Sequence, residues 1–447
     1  MIFELGKETE PYLQWPVSGY NIPAEKIIGR KKISIPVTSD NLLIVGKIGC
    51  GKSTLVKKYV DNILKEEDTY AVFFEVKPWD YSGRFMRRGD KIVSFDNIPG
   101  YEEYLFQWNM IKEIKQSKDP EAELKKITSI LFEQLKKDST KQIWVQGAEE
   151  TLEGFINTVI HCVSGIPSNF EVVNRMQGLK TIKLLEFMAH YKPNKSFLDK
   201  YFHFDINWVL NPTEESKKKI AEYKIPQIGS DILVFVQNVL SKFSGSFMSK
   251  DGQDTIGGWL GGKYGKNLFI TYNLEKQDIM STFVIYFIKS IILERVSLGV
   301  DRNKKILMVL DEIPELGHEF GLEQGVTVAR ENRLQVILST QSLEKLYAIA
   351  PDLNSAKAEH YTNAMLSGFP TLVAFQAGDP YTISTFQKFF GNKIKQRLIM
   401  PISRYSTPEI KVETLPIVPD EDFASLDRGD CYIKIGAAEP ERVHIIK

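Results

Sequence analysis

Apolar residues along the chain fall into two textures. Short unbroken runs, bounded by glycine, proline or charge, occur at "NLLIV" (41–45), "TYAVFFEVKP" (69–78) and "KIVSFD" (91–96). They recur at "NLFITYN" (267–273), "KILMVLD" (305–311), "LQVILST" (334–340) and "PTLVAFQ" (370–376). Runs this short and this rich in β-branched and aromatic residues predict buried strands. Between them the apolar positions return every three or four residues. Over 52–66, Leu55, Val56, Tyr59, Val60, Ile63 and Leu64 share one side of a helix. Helices are also expected near 276–298, 319–332, 354–366 and 380–390. Such alternation predicts an α/β fold, a mostly parallel sheet with helices on both faces.

From about Asn109 to about Phe243 the β-branched clusters thin out and helical periodicity takes over. "DPEAELKKITSILFEQLKK" opens on an Asp cap with proline at the first helical position. "GAEETLEGFINTVIHCVSG" carries acids in its first turn and ends on glycine. "SDILVFVQNVLSKF" closes the block. The expectation is an all-α domain, 109–243, inserted into an α/β domain made of 31–108 and 244–447. An N-terminal segment, 1–30, precedes them, and "GDCYIKIGAAEP" predicts a terminal β-hairpin.

Length supports this division, because 447 residues exceed what one core usually holds. Lysine plus arginine equals aspartate plus glutamate at 57 each. Zero net charge argues against a uniformly basic nucleic-acid binder and leaves room for a local basic patch. Cys50, Cys162 and Cys431 lie far apart with no metal-ligand spacing, which suits a reducing compartment. The longest apolar stretch, "STFVIYFIKSIILERV", is interrupted by Lys289. It falls short of the roughly 18 apolar residues a membrane span needs and reads as a buried helix. "MIFELGKETEPY" does not read as a signal peptide.

The first strand–helix junction is "LLIVGKIGCGKSTLVKKYV". Gly46-x-x-x-x-Gly51-Lys52-Ser53 is the phosphate-loop pattern. Glycine lets the backbone reach the phosphates, and successive N–H groups from Gly46, Lys47, Ile48, Gly49, Cys50 and Gly51 form a nest for their oxygens. The helix starting near Lys52 adds its positive end. Lys52 would reach the β- and γ-phosphates, Ser53 would ligate Mg²⁺, and Thr54 completes the motif. ATP with Mg²⁺ is the expected ligand. Cys50 has two readings: a small residue tolerated in the loop, or a thiol whose pKa the helix N-terminus lowers, open to redox control.

A phosphate loop needs an acid on a neighbouring strand, and "KILMVLDEIPELG" supplies one. Asp311 would hold Mg²⁺ through water, and Glu312 would deprotonate the attacking water. Glu315 is a weaker candidate for that base. Gln341 stands just past the next strand, at the sheet edge that faces the ligand crevice, where it can sense the γ-phosphate, position the water or cap the strand. Arg330, in the helix before that strand, is either a surface residue or an arginine finger for a neighbouring subunit's site; Arg333 competes with it. The segment "KPWDYSGRFMRRGDK" interleaves Lys77, Arg84, Arg87, Arg88 and Lys91 with Trp79, Tyr81 and Phe85. It is either a DNA-binding loop or a solvated loop packed by its rings. The six histidines form no zinc-protease pattern, and no Gly-x-Ser-x-Gly elbow occurs.

Taken in order, "LLIVGKIGCGKST", "FEVKPWDYSGRFMRRGDKIVSFD", "WNMI", "QIWVQGAEETLEGFI", "LDEIPELG", "ARENRLQVILSTQSLEKL" and "FASLDRGDCYIKIG" resemble the type IV secretion coupling proteins. The resemblance covers roughly residues 20–445. It implies a RecA-like motor of the wider FtsK and HerA type, with an all-helical domain at one mouth of a homo-hexameric ring. Its implied task is ATP-powered delivery of DNA with an attached relaxase, or of protein effectors, to a secretion channel. Implied partners are a secretion-channel ATPase or inner-membrane subunits. The implied place is cytoplasmic, peripheral at the inner face of the bacterial plasma membrane. By motif, Lys52 and Ser53 match the Walker A pair and Asp311 and Glu312 the Walker B pair. Gln341 matches the glutamine after the following strand, and Arg330 the arginine before it. Most members carry N-terminal membrane helices, which this sequence does not show, and some have a long C-terminal tail. The competing readings are a HerA- or FtsK-like DNA translocase or packaging ATPase without a secretion role, and a nucleotide-gated receptor or scaffold.

Overall fold

The computed structural model describes residues 21–26, 32–36, 40–77, 79–94, 98–136, 141–241, 251–273, 275, 277–296, 304–313, 322–328, 330–348, 355–399 and 409–445. The strands, in chain order, are β1 (Asn21–Lys26), β2 (Lys32–Pro36), β3 (Leu42–Val45), β4 (Thr69–Glu75), β5 (Lys91–Val93), β6 (Asn267–Thr271), β7 (Lys305–Asp311), β8 (Leu334–Thr340), β9 (Thr371–Ala374), β10 (Asn392–Ile399), β11 (Glu409–Pro416), β12 (Asp430–Ile435) and β13 (Glu441–Ile445). The chain divides into two compact units, Met1–Phe85 with Arg295–Lys447, and Met86–Glu294.

In the first unit nine strands lie in the order β2-β1-β13-β12-β9-β3-β8-β7-β4. The run from β9 to β4 is parallel throughout. Every residue of β3 and β8 is buried, as a central strand covered on both faces requires, and this is why these strands read as unbroken apolar runs. Register aligns the strand ends: Val45 sits opposite Thr340, and Asp311 opposite Ser339. The loops leaving β3, β7 and β8 therefore emerge along one edge. Helix α1 (Lys52–Ile63) buries Leu55, Val56, Tyr59, Val60 and Ile63, the stripe its periodicity predicts. The terminal hairpin β12–β13 is present, pairing β12 antiparallel with β9.

Two features were not anticipated. β1 joins the sheet through β13, with Ala24 opposite Ile445, and β2 pairs outside it. Their sequences, "NIPAEK" and "KISIP", carry prolines and charges that mask them. β10 and β11 form a separate antiparallel pair. The expected helix 319–332 is a helix over Leu322–Val328 followed by a 3-10 turn, Arg330–Asn332.

In the second unit β5 and β6 pair in parallel. The stretch between them is helical, from Met110–Gln116, Pro120–Lys136 and Gln142–Cys162 through Asn169–Gly178, Thr181–Met188 and Lys195–Phe202 to Glu214–Glu222 and Gln227–Ser241. Polar ties fix the ends of the block. Asn109 caps its first helix through Lys112 N (2.8 Å) and donates to Gly252 O (2.9 Å). The buried Glu113 carboxylate accepts from Trp108 Nε1 (3.0 Å), Ile256 N (2.6 Å) and Gly257 N (3.1 Å). Among the described residues, no helix is long and apolar enough to cross a membrane.

Candidate nucleotide site

β3 ends at Val45 with nowhere to go but over the sheet edge. Gly46 N donates to Thr340 O (3.2 Å) and Lys47 N to Gln376 O (2.9 Å), so the base of the loop is stitched to the chain leaving β8 and β9. A Cβ on Gly46 would lie 2.4 Å from Phe375 Cβ, which accounts for glycine there. Gly49 and Gly51 take φ of 80° and 119°, left-handed values that bend the chain back into α1. Lys47, Ile48 and Gly49 form an exposed tip, Ile48 at 72%. From the other side Gly429 N donates to Cys50 O (2.9 Å), so the segment before β12 braces the loop. Ser53 is half-buried in the first turn of α1, and Thr54 is exposed.

Lys52 is 6% exposed. Its ammonium donates to Gly46 O (2.6 Å) and Lys47 O (3.2 Å) and lies 3.9 Å from Glu312 Oε1. The glycine loop and the acidic strand end thus meet, although some 260 residues separate them in sequence. Asp311 closes β7, and its Oδ2 accepts from Tyr81 Oη (3.1 Å). Burial pushes the Asp311 carboxyl up, against the pull of the Ser339 and Tyr81 hydroxyls and the Lys52 charge. Burial also raises Glu312; Lys52 opposes the shift, and the Asp311 charge adds to it. Glu312 Oε2 is buried and accepts no hydrogen bond from the described residues. The Glu312 backbone holds φ of 55°, a conformation costing roughly 1–3 kcal/mol for a non-glycine residue, and its N–H donates to Ser339 O (2.9 Å). Gln341, half-buried just past β8, stands beside Glu312.

This donor set fits a nucleoside triphosphate with Mg²⁺: a loop turned by the left-handed Gly49 and Gly51, a buried ammonium, a hydroxyl at Ser53, a carboxylate at Asp311 and a bare carboxylate oxygen at Glu312. Cys50 departs from its redox reading. Its thiol is buried, and burial pushes its pKa up despite the opposing pull of Lys52 and Lys47. Arg330 opens the 3-10 turn before β8, and its side chain lies outside the described residues, as does Glu315.

The basic segment splits between the units. In the first, Lys77 is exposed and Arg84 pairs with Asp61 (2.5 Å). Tyr81 and Phe85 are buried and stack on Phe73, with centroids 5.7 and 5.6 Å away; Trp79 is 40% exposed with φ of 67°. In the second, Arg87 and Arg88 are exposed, while Lys91 donates to Glu103 O (3.2 Å) and lies 3.6 Å from Asp254. Sequence reasoning did not single out Glu75, which is 1% exposed. It accepts from Tyr81 N (2.8 Å), Ser82 N (3.0 Å) and Ser82 Oγ (2.6 Å). A lone acid ending the apolar run of β4 was the available signal.

The sequence model of the family described as "Type IV secretion-system coupling protein DNA-binding domain" matches residues 27–203 and 216–411. Among solved structures, the bacterial conjugative coupling protein TrwBdeltaN70, in an unbound monoclinic form, matches with a TM-score of 0.67 and 18% identity, over 95% of this chain and 88% of that one. Plasmid coupling protein TrwB in complex with ADP and Mg²⁺ matches at 0.65 and 16%, over 96% and 95%. VirB4 of Thermoanaerobacter pseudethanolicus matches at 0.51 and 13%, over 96% and 97%. No curated protein matches by sequence. At these identities the solved structures speak to the fold, which is that of a RecA-like P-loop domain.

Proposed function

The chain belongs to the type IV secretion-system coupling proteins, and from that premise we propose that it is an ATP-hydrolysing motor. It recruits DNA, relaxase-bound DNA or a protein effector and drives it toward a secretion channel. The observation that carries this reading is the approach of Lys52 Nζ to Glu312 Oε1 at 3.9 Å. That distance supports a loop that grips phosphate and a base within one nucleotide's reach.

In this reading the loop N–H groups past Lys47, through Thr54, and the Lys52 ammonium hold the phosphates of ATP, while the Gly46 and Lys47 N–H groups anchor the loop to Thr340 O and Gln376 O. Ser53 would hold Mg²⁺ directly and Asp311 would hold it through water, and the chemistry it would supply is neutralisation of charge on the phosphate oxygens. Glu312 Oε2, lacking a hydrogen-bond partner among the described residues, accepts a proton from water. The water oxygen bonds to the γ-phosphorus while the bond to the β–γ bridging oxygen breaks, and ADP leaves with that electron pair. Gln341 orients the water. Arg330 reaches the site of the next subunit in a homo-hexamer. Lys77, Arg84, Arg87, Arg88 and Lys91 supply positive charge for nucleic-acid phosphates. The motor works in the cytoplasm at the inner face of the bacterial plasma membrane, against a secretion-channel ATPase or inner-membrane subunits.

The test is ATP turnover with and without single- and double-stranded DNA, alongside mass in solution as ATP is added. DNA is expected to raise turnover several-fold, with mass moving toward six copies. Lys52→Ala is expected to lower turnover at least about 100-fold. Near-normal turnover in Lys52→Ala removes the phosphate-loop assignment. Turnover indifferent to DNA favours a nucleotide-gated receptor.

A further inference from the structure

Tyr81 is 0% exposed, and its position is fixed three ways. Its backbone N–H is held by Glu75 Oε2 (2.8 Å), its ring stacks on Phe73, and Lys57 Nζ lies over that ring, 5.6 Å from the centroid. With the backbone and ring anchored, the hydroxyl has little freedom. It donates to Asp311 Oδ2 at 3.1 Å, bridging 230 positions of sequence. Packing does not require that hydroxyl: Phe85 stacks on the same Phe73 ring, at 5.6 Å, with none.

We propose that Tyr81 is a positioning residue for the metal-binding carboxylate: its hydroxyl holds Asp311 Oδ2 and so fixes how the carboxylate faces the water shell of the cation. The inference rests on the ATPase reading, which makes Asp311 a metal ligand. It gives Glu75 a role too. By holding the Tyr81 and Ser82 amides, Glu75 sets where the tyrosine starts and hence where its hydroxyl ends. Partners of this kind, one bond behind a ligand, typically change metal affinity by about 10- to 100-fold. Tyr81 touches neither nucleotide nor water in this scheme and acts only through Asp311.

The test is equilibrium binding of a fluorescent ADP analogue to the full chain across a Mg²⁺ titration. It compares wild type, Tyr81→Phe, Asp311→Asn and the double variant. Without Mg²⁺ wild type and Tyr81→Phe are expected to bind the analogue within two-fold of one another, which also certifies that Tyr81→Phe is folded. The Mg²⁺ concentration for half-maximal tightening is expected to rise about ten-fold in Tyr81→Phe. The double variant is expected to match Asp311→Asn, because Tyr81 has nothing left to position. An unchanged Mg²⁺ midpoint in Tyr81→Phe overturns the proposal while leaving the nucleotide reading intact. So does a loss in the double variant equal to the two single losses combined. Weakened Mg²⁺-free binding in Tyr81→Phe assigns the hydroxyl to packing and likewise overturns it. A wild type that binds no nucleotide overturns both readings.

Discussion

Glu113 in the helical unit and Glu312 at the end of β7 are both raised above the ordinary carboxylate range by burial. Their surroundings differ. Glu113, pushed up to about 7, accepts from an indole N–H and two backbone N–H groups, and both its oxygens are occupied. Glu312 has one oxygen 3.9 Å from Lys52, and its other oxygen accepts nothing from the described residues. It also sits on a left-handed backbone, whereas Glu113 lies in a helix. Glu75 resembles Glu113, since a short helix and a serine hydroxyl take up its oxygens. A shifted pKa therefore marks burial, and on the proposed reading an unfilled oxygen on a strained backbone marks the carboxylate left over for chemistry.

Exchanging each acid for its amide tests this distinction most severely. Glu312→Gln is expected to cut ATP turnover about 1,000-fold, the scale of a lost general base, while nucleotide affinity stays within a few-fold. Glu113→Gln, per folded molecule, is expected to keep turnover within two-fold. Steady-state hydrolysis and equilibrium nucleotide binding on both variants decide it. Comparable losses from the two would show that raised pKa, not an unfilled oxygen, was the relevant trait.

A second effect, smaller and of another kind, belongs to Glu113. Glu113→Ala leaves Trp108 Nε1, Ile256 N and Gly257 N without their acceptor, at a cost of about 3 kcal/mol or more. Hydrogen exchange at the Ile256 and Gly257 amides reports it directly. The wild-type residue also predicts a pH slope. Its carboxyl titrates at about 7 in the folded chain, against an ordinary 4.5, so between those values the folded state holds the extra proton. Its contribution is most favourable below about pH 4.5 and is lost as pH rises through 7, by up to about 3 kcal/mol. Urea unfolding of wild type against Glu113→Gln across this range checks the sign: the wild type should lose ground as pH rises.

How much of this was legible beforehand depends on how local each feature is. The parallel strands and α1 were readable because burial on both faces leaves continuous apolar runs and burial on one side leaves a stripe. That the loop ending at Lys52 and Ser53 would meet Asp311 and Glu312 was readable because the phosphate-loop pattern restricts residue types at fixed spacing and calls for an acid on a neighbouring strand. β1 and β2 were not: β2 ends the sheet and β1 pairs between it and β13, yet Pro23 and Pro36 carry the opposite signal. The hydroxyl of Tyr81 was not either. Its ring was grouped with Trp79 and Phe85 by spacing alone, and only the packing of β4 beside β7 shows that Tyr81 turns inward to Asp311 while Trp79 stays exposed. The left-handed backbone of Glu312 left no mark in the sequence.

Cys50 sharpens the comparison at its low end, because it separates location from partners. It lies inside the nucleotide loop, between Gly49 and Gly51, yet its thiol is buried. Its sulfur points behind the loop, 3.0 Å from where a Cβ on Gly46 would stand. Burial pushes the thiol pKa up, so at neutral pH it is a thiol, neither a nucleophile nor a ready target for oxidation. What Cys50 gives the loop is its backbone: its N–H donates to Lys47 O at 3.5 Å, and its carbonyl accepts from Gly429 N at 2.9 Å. Both survive substitution. Cys50→Ala is therefore expected to hold turnover within about two-fold and to lower stability by about 1 kcal/mol through lost packing. Wild-type turnover is likewise expected to resist iodoacetamide at neutral pH. Rapid inactivation by that reagent, prevented by Cys50→Ala, would mean that proximity to the phosphates outweighs burial, and Cys50 would then join Glu312 on the reactive side of the comparison.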